Sequence, residues 1–533
     1  MERGETVMSD YGAPGTFAIA DLWEAVAATV PDRTALKCAD RSGTYAELDA
    51  RANRLAGWMT TRGVGKDDFV GVCSRNSVEY VEATLAAFKL RAVPVNVNFR
   101  YVTEELRCLF DRAQLVGVVH DAESRSRVAA ATTPRMRWTL EIGDDYEASL
   151  ASVEPPTTFG PRSNDDLYVI YTGGTTGAPK GVRWRMEDAF HACLGGGAPQ
   201  RGEVPITTPG QIVDRVVDSY VAFPVPPLMH ASGMWPTLRW LLAGGTVVLV
   251  RDFDPDAIWR LVEIERVNLV NIVADAMARP LFDALRPDLD LSSLAVIGSS
   301  GAPLSRWMNR RLAEALPGVT IRDIYGSSET GVQGWSDSRE DDEATGLFEM
   351  QDTIILDPDT LRPIPPGSEA TGRIARRDTV PLGYHDDLDG SLDTFVVQDG
   401  RRIALTGDLG RLHADGRVSV LGRGSSCINS GGEKIYPAEV ENVLRSHPTV
   451  YDIVVVGVPD ARWGEAVAAV IQPVGEADIS EQVLRMYCAD RLASYKVPKS
   501  ISFVDSIERS AAGKPDVEWA KVVARRNQEG CEQ

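Results

Sequence analysis

With 533 residues, 44% hydrophobic and 25% charged, the chain has a globular composition and exceeds the ~250 to 300 residues at which one core stops growing, so two or more domains are expected. Its 56 Lys and Arg against 76 Asp and Glu leave a net charge of -20 without a basic run, which argues against a nucleic-acid partner, because backbone phosphates are bound by clustered cations. No apolar run approaches the ~18 residues of a membrane span; the longest, LLAGGTVVLV (241 to 250), reads as a buried strand at most, and no membrane partner is expected.

The N-terminus, MERGETVMSDYG, is acidic and polar where a signal peptide would carry positive charge and then an apolar stretch, so a cytoplasmic location is the default. FAIADLWEAVAATV follows and places Ile19, Leu22, Trp23, Val26 and Val30 on one helical face; TYAELDARANRLAGWM opens with Thr44 and Glu47 at capping-box spacing. DFVGVC (68 to 73), a helix around VEYVEATLAAFKL and the apolar run AVPVNV form a βαβ pattern, implying a parallel sheet covered by helices. VGVVH, LYVIYT, VVLV, NLVNIV and LAVIGS repeat the theme as far as Ser299. The acidic run Glu340, Asp341, Asp342 and Glu343 reads as a solvated loop rather than a cation site.

From about residue 350 the texture changes to short strands with Pro, Gly and Asp turns, favouring a β-rich subdomain. After Gly424 a compact α/β unit follows: IYPAEVENVLRSH as a helix, YDIVVVGV and AVAAVIQPV as strands, then a helix capped by Asp478 with an apolar stripe of Val483, Leu484, Tyr487, Cys488 and Leu492. The expected fold class is therefore α/β: a large N-terminal domain of parallel βαβ-type sheets plus a β-rich subdomain (1 to 421), a joint at 422 to 426, and a small mobile C-terminal α/β domain (427 to 533). Cys38, Cys73, Cys108, Cys193, Cys427, Cys488 and Cys531 are scattered without C-x-x-C spacing, which signals neither a disulfide framework nor a zinc site.

The segment most suggestive of chemistry is YTGGTTGAPKGV (171 to 182). It follows the strand LYVIYT, and the carboxyl edge of an open sheet is where nucleotides bind in α/β folds. Gly173 and Gly174 let backbone N–H groups turn inward, Thr172, Thr175 and Thr176 add hydroxyl donors, and Lys180 adds a point charge. Pro179 before the lysine and Gly181 after it break the Walker pattern.

Six later segments stand in a telling order: PPLMHASG (226 to 233), GSSGAPL (298 to 304), IYGSSETG (324 to 331), TGDL (406 to 409), LGRGSSCINSGGEKIYPAEVE (421 to 441) and RSAAGKPD (509 to 516). Together with YTGGTTGAPKGV they resemble the motifs of the adenylate-forming superfamily of acyl-CoA synthetases, adenylation domains and luciferases, from about residue 15 to 525. In detail they are most like actinobacterial fatty-acid and steroid-side-chain CoA ligases.

The resemblance implies an ATP- and Mg²⁺-dependent acid:CoA ligase with CoA as co-substrate and a hydrophobic or aromatic small-molecule acid. Lys514 matches the catalytic lysine between the attacking carboxylate and the α-phosphate, and Glu329 the carboxylate that organises Mg²⁺. Gly326, Ser327 and Ser328 lie in the same turn, Ser328 at the hydroxyl position facing the α-phosphate. Tyr325 matches the adenine-stacking residue, with Ser300, Gly301 and Ala302 along the adenine edge, and Asp408 the ribose-binding carboxylate. Arg423 matches a ribose or phosphate ligand or, alternatively, a structural ion pair beside the joint, and Gly431 and Gly432 the loop that admits pantetheine. His230 lies at the acid and thiol side, in either an acid/base or a packing role; His120, His191, His385, His413 and His447 read as surface or core residues. Ser425 stands where many relatives carry Asp or Lys at the hinge. Met234, Trp235, Asp275, Ala276 and Ser300 fall near the acyl pocket, where Asp275 either binds the substrate or fixes the backbone. A carrier-protein thiol as acceptor, activation of nitrite for attack on an aryl amine, and a nucleotide sensor without turnover are the alternatives, and the chain acts as a monomer or homodimer.

Overall fold

The computed structural model describes residues 14–156, 158–172, 179–198, 200, 202–337, 347–423, 427–430, 433–460, 464–475, 480–509 and 514–531. The acidic run at 340 to 343, Gly173, Gly174, Thr175, Thr176, Ser425, Gly431, Gly432 and Asp478 lie outside the described residues.

Two helices open the chain, α1 (Ile19–Thr29) and α2 (Tyr45–Thr61). The expected stripe of α1 is buried at Ile19, Leu22, Trp23 and Val26. The α2 cap forms reciprocally: the Glu47 amide donates to the Thr44 hydroxyl at 3.2 Å and the Thr44 amide to the Glu47 carboxylate at 2.8 Å. Next come β1 (Phe69–Cys73), α3 (Val78–Lys89), β2 (Val93–Asn96), β3 (Leu115–His120) and β4 (Trp138–Glu141). The four strands form a parallel sheet in the order β2-β1-β3-β4, as the βαβ pattern predicts. Every residue of α3 is buried, including three charges that the interior tolerates only because each is partnered. Glu79 pairs with Arg41, Glu82 accepts from Arg51 and from the Tyr146 hydroxyl, and the Lys89 ammonium lies 2.6 Å from Glu24 and 2.8 Å from Asp49.

The parallel theme breaks at β5 (Leu167–Thr172), which pairs antiparallel with β6 (Lys180–Arg185), Thr172 opposite Lys180. The strands flanking the segment expected to cradle phosphate are therefore antiparallel partners, where the sequence suggested the edge of a parallel strand. Residues 173 to 179 are too few for a crossover, which takes about a dozen or more residues.

Parallel order returns with β7 (Val221–Pro224), α4 (Ala231–Leu242), β8 (Thr246–Leu249), β9 (Leu269–Ile272), α5 (Ala274–Asp283), β10 (Val296–Ser299), α6 (Arg306–Ala315) and β11 (Thr320–Ser327). These strands lie in the order β8-β7-β9-β10-β11 inside a sheet of 14 strands among the described residues. LLAGGTVVLV is not one strand: Leu241 and Leu242 end α4, Gly244 turns the chain at φ +72°, and β8 starts at Thr246. A Leu-rich start extends a helix until the glycine pair ends it.

Past β11 the sheet becomes antiparallel through β12 (Gly331–Asp337). It continues, as the turn-rich texture beyond 350 predicts, with β13 (Gly372–Arg377), β15 (Arg401–Leu412) and β16 (Val418–Arg423); between them β14 (Gly383–His385) leaves the large sheet to pair with β6, and α7 (Leu388–Thr394) follows it. The C-terminal region has its own core under α8 (Pro437–Arg445), antiparallel β17 (Val450–Asp460) and β18 (Gly464–Pro473), α9 (Glu481–Ala489) and β19 (Ser500–Phe503). The cap of α9 is Ser480, whose hydroxyl accepts from the Val483 amide at 3.3 Å, in place of the expected Asp478. This helix buries Leu484 and Cys488, one turn apart, whereas Val483 points outward at 49% exposure. The mixed α/β architecture is thus the expected class. No helix among the described residues is long and apolar enough to cross a membrane.

Candidate active site

Four predicted segments emerge from neighbouring parallel strands on one sheet edge. PPLMHASG follows β7, residues 273 to 275 follow β9, GSSGAPL follows β10, and Tyr325 to Ser328 complete β11 and its turn. Carboxyl ends of parallel strands present loops to ligands because the helices that cover the sheet begin there. The loop after β10 is held from beneath: the Ser300 amide donates to the Ile272 carbonyl at 3.1 Å, the Leu304 amide to Asp323 at 3.4 Å and the Ser305 amide to Asp275 at 2.8 Å. Gly301 makes the bend at φ +82°, a conformation that favours glycine, and a Cβ there would meet nothing closer than 3.7 Å, so backbone angle and not space is what the position demands. Gly233 is required for space, since a Cβ there would lie 2.4 Å from the Pro227 carbonyl oxygen.

Asp275 therefore fixes backbone. Its second oxygen is 3.5 Å from the Arg279 guanidinium, and both side chains are buried. The deeply buried Asp323 carboxyl is pushed up to about 7, chiefly by loss of water and also by the negative charge of Asp275.

On the same side Tyr325 and Asp408 meet: the phenol donates to the carboxylate at 2.8 Å, although they are 83 residues apart. Asp408 is oriented by its own amide, which donates to the Thr406 hydroxyl at 3.1 Å. It lies in register with Arg423 on the paired strand β16.

The hairpin side is built from charges. Lys180, the first residue of β6, places its ammonium 2.7 Å from Asp387 and 5.0 Å from the centre of the Tyr384 ring. The Tyr384 hydroxyl donates to Glu329 at 3.1 Å. Glu329 stands in the β11–β12 turn, where its amide donates to the Ser327 hydroxyl at 3.2 Å and Ser327 bonds Thr330 at 3.0 Å. The buried Trp184 of β6 donates from its indole to the Ser328 carbonyl at 3.1 Å, tying the hairpin to this turn. Asn96 closes the other end: its side-chain amide donates to the carbonyls of Tyr171 (2.8 Å) and Met229 (2.7 Å) and accepts from the Tyr171 amide (2.7 Å). The Lys180 contact and the α7 cap bond from Gly390 hold the Asp387 carboxyl below its ordinary range.

Sequence alone does not single out Asn96, Trp184, Tyr384 or Asp387. A polar residue inside the apolar run AVPVNV is the one available signal for Asn96; the others depend on partners between 55 and 207 residues away.

Gly326 approaches the Gly331 carbonyl too closely for any side chain, and Ala302 is half-buried. His230 begins α4 as its N-cap residue, half-buried, with its carbonyl accepting from the Met234 amide at 2.9 Å. Met234 and Trp235 are buried on α4, and the Trp235 indole donates to the Tyr168 hydroxyl at 3.1 Å. Lys514 is exposed at the stem of its loop, where Arg509 and Pro515 form an antiparallel bridge. Of the remaining histidines, His120 is buried, His191 packs on Phe17 and Phe190, His385 packs on Phe69, His413 bonds Ser419 and His447 bonds Thr449.

Among the described residues no group of three or more His, Cys, Asp or Glu could hold a metal ion. Glu329 offers a single carboxylate. That donor set fits Mg²⁺, which dehydrates reluctantly and is bound through one or two carboxylates, substrate phosphates and water.

Comparison with known proteins agrees with this geometry. The family described as AMP-binding enzyme matches residues 23–385, and the AMP-binding enzyme C-terminal domain matches residues 439–514. The chain is 41% identical over 529 residues to 3-oxocholest-4-en-26-oate--CoA ligase of Rhodococcus rhodochrous, covering 94% of this chain and 95% of that protein. It is 42% identical over 530 residues to the medium/long-chain-fatty-acid--CoA/3-oxocholest-4-en-26-oate--CoA ligase of Mycolicibacterium smegmatis, covering 95% and 96%. Among solved structures, ATP-bound MatB from Rhodopseudomonas palustris superimposes with a TM-score of 0.82 at 26% identity, over 94% of this chain and 98% of that one.

Proposed function

The chain belongs to the AMP-binding enzyme family and is an AMP-forming acid:CoA ligase, and on that premise we propose which residues carry its two half-reactions and which acid it takes. In the first half-reaction a carboxylate oxygen of the acid attacks the α-phosphorus of ATP, the bond to the β-phosphate oxygen breaks, and pyrophosphate leaves. In the second, the CoA sulfur attacks the acyl carbon, its proton is lost and AMP departs.

Two anions must meet in the first step, so the protein's task is positioning and neutralisation. Tyr325 and the 300 to 302 loop receive adenine, and Asp408 receives the ribose hydroxyls; the Tyr325–Asp408 contact at 2.8 Å is the observation that carries this reading. Lys180 and the residues from Thr172 to Thr176 hold the β- and γ-phosphates, with Ser328 toward the α-phosphate. Glu329 would hold Mg²⁺, which would supply charge neutralisation at the phosphates. Lys514 bridges the attacking carboxylate and the α-phosphate, and Arg423 lies beside the nucleotide. The region beyond the joint at 422 to 426 then presents Gly431 and Gly432 to pantetheine, and His230 flanks the acyl carboxylate.

The acid is hydrophobic, of the fatty or steroid side-chain class. Support comes from the names of the two relatives and from the apolar α4 residues Met234 and Trp235 beside His230. A cytoplasmic setting agrees with the reduced thiols of Cys38, Cys73, Cys108, Cys193 and Cys488. Two measurements test the reading. Lys514→Ala is expected to lower pyrophosphate release by ~10²-fold or more, the size of losing one preorganised charge, while CoA still consumes supplied acyl-AMP. Equal loss in both half-reactions removes Lys514 from its role. Product masses across aliphatic, aromatic and steroid acids, with CoA and with a carrier protein, then identify the acid and the acceptor.

A further inference from the structure

Lys180 and Glu329, on different sheets, are joined through one residue that belongs to neither motif. Tyr384 of β14 donates its hydroxyl to Glu329 at 3.1 Å, while Lys180 stands over the face of the same ring, 5.0 Å from its centre. The ring is fixed on several sides. β14 is hydrogen-bonded to β6, with Tyr384 opposite Val182; Phe395 packs edge-on at 5.3 Å; and the Tyr384 amide donates to the Ser391 hydroxyl at 2.8 Å. Asp387 completes the seat, holding the ammonium at 2.7 Å while its other oxygen accepts from the Gly390 amide at 2.9 Å. Gly390 leaves no spare room, since a Cβ there would lie 2.4 Å from the Asp387 carboxylate and 2.8 Å from the Lys180 nitrogen.

We propose that Tyr384 is a positioning residue for the triphosphate and its metal ion: its hydroxyl orients the Glu329 carboxylate, and its ring face together with Asp387 stations the Lys180 ammonium. The inference rests on the reading of Lys180 and Glu329 given above. Chemically, the two functions need different parts of one side chain. A phenol O–H donating to one carboxylate oxygen leaves the other oxygen for a metal ion, and a hydrogen bond to the far side of a ligating carboxylate tunes metal affinity. A π-face attracts an ammonium without neutralising it, so the charge stays available for an arriving phosphate.

The two parts separate by substitution in the full-length protein, with ATP binding read by calorimetry at stepped MgCl₂. Tyr384→Phe keeps the ring and is expected to raise the Mg²⁺ concentration needed for half-maximal ATP binding by about tenfold, the size of losing a hydrogen-bond partner behind a metal ligand, with ATP affinity at saturating Mg²⁺ nearly unchanged. Tyr384→Leu loses the ring as well and is expected to weaken ATP at saturating Mg²⁺ by a further two- to fivefold or so, the size of a partly exposed cation–π contact. In a Glu329→Gln background the Mg²⁺ effect of Tyr384→Phe is expected to vanish, a coupling that general loosening of the fold would not produce. An unchanged Mg²⁺ requirement in Tyr384→Phe, or the same shift with and without Glu329, overturns the proposal, provided Lys180→Ala and Glu329→Gln each weaken ATP binding. If those two variants bind ATP as the wild type does, the reading of the site itself falls.

Discussion

The loop after β10 is held from inside: Ser300, Leu304 and Ser305 donate their amides to Ile272, Asp323 and Asp275, all beneath it. Lys180 and Glu329 are held from outside, by the tips of Tyr384 and Asp387 from a turn some 200 and 55 residues further along. The first construction freezes backbone, which suits a flat base recognised by shape. The second holds charged side-chain ends that, on the reading proposed above, exchange partners when a phosphate and its cation arrive. Loss of an inner support should therefore cost stability, and loss of an outer charge should cost chemistry.

Glu329→Gln should give the largest effect, about 10²-fold or more in pyrophosphate release, with the thermal midpoint nearly unmoved. A drop in the midpoint large enough to explain the loss would erase the contrast. Asp275→Ala should do the opposite, lowering stability in urea unfolding by about 3 kcal/mol, because it strands the buried Arg279 guanidinium and the Ser305 amide. Asp408→Asn sharpens the comparison from between the two groups. It should raise KM for ATP by about tenfold, the size of one weakened charged hydrogen bond, with kcat less affected.

Asp323→Asn should give the smallest effect at neutral pH activity and the most diagnostic one in stability. The folded carboxyl titrates at about 7, above its unfolded value of 3.8, so the folded state keeps a proton that the unfolded state has released. Stability from this group is complete below about pH 4 and falls as pH rises to about 7, by at most about 1.4 kcal/mol per pH unit. The asparagine variant should lack that slope, and chemical unfolding of both proteins from about pH 4 to about pH 8 reads the difference. Parallel profiles would mean that Asp323 is ionised beneath the loop.

Much of the parallel framework was legible because its strands are uniformly apolar, as in VGVVH and VVLV, and its helices carry local caps such as Thr44 with Glu47. What periodicity could not supply was strand direction: LYVIYT reads like its neighbours yet forms a hairpin, a matter of how many residues follow it. Nor did it locate the cap of α9, where Ser480 and Asp478 are both good capping residues and the docking of Leu484 and Cys488 on the C-terminal core sets the register.

The residues proposed to carry chemistry were visible by themselves, because a Gly- and Thr-rich run ending in Lys, a lone carboxylate in a Y-G-S-S-E turn and a lysine in G-K-P-D are local patterns. Residue type and spacing along the chain determine those, along with the apolar strands that place them at sheet edges. Only the tertiary structure decided what holds each one. Asn96 between two loops, Tyr384 between Lys180 and Glu329, and Asp275 bonded to the Ser305 backbone all depend on distances through space. A hydrogen bond or ion pair acts over about 3 Å, and no rule of local sequence says which distant side chain will arrive there.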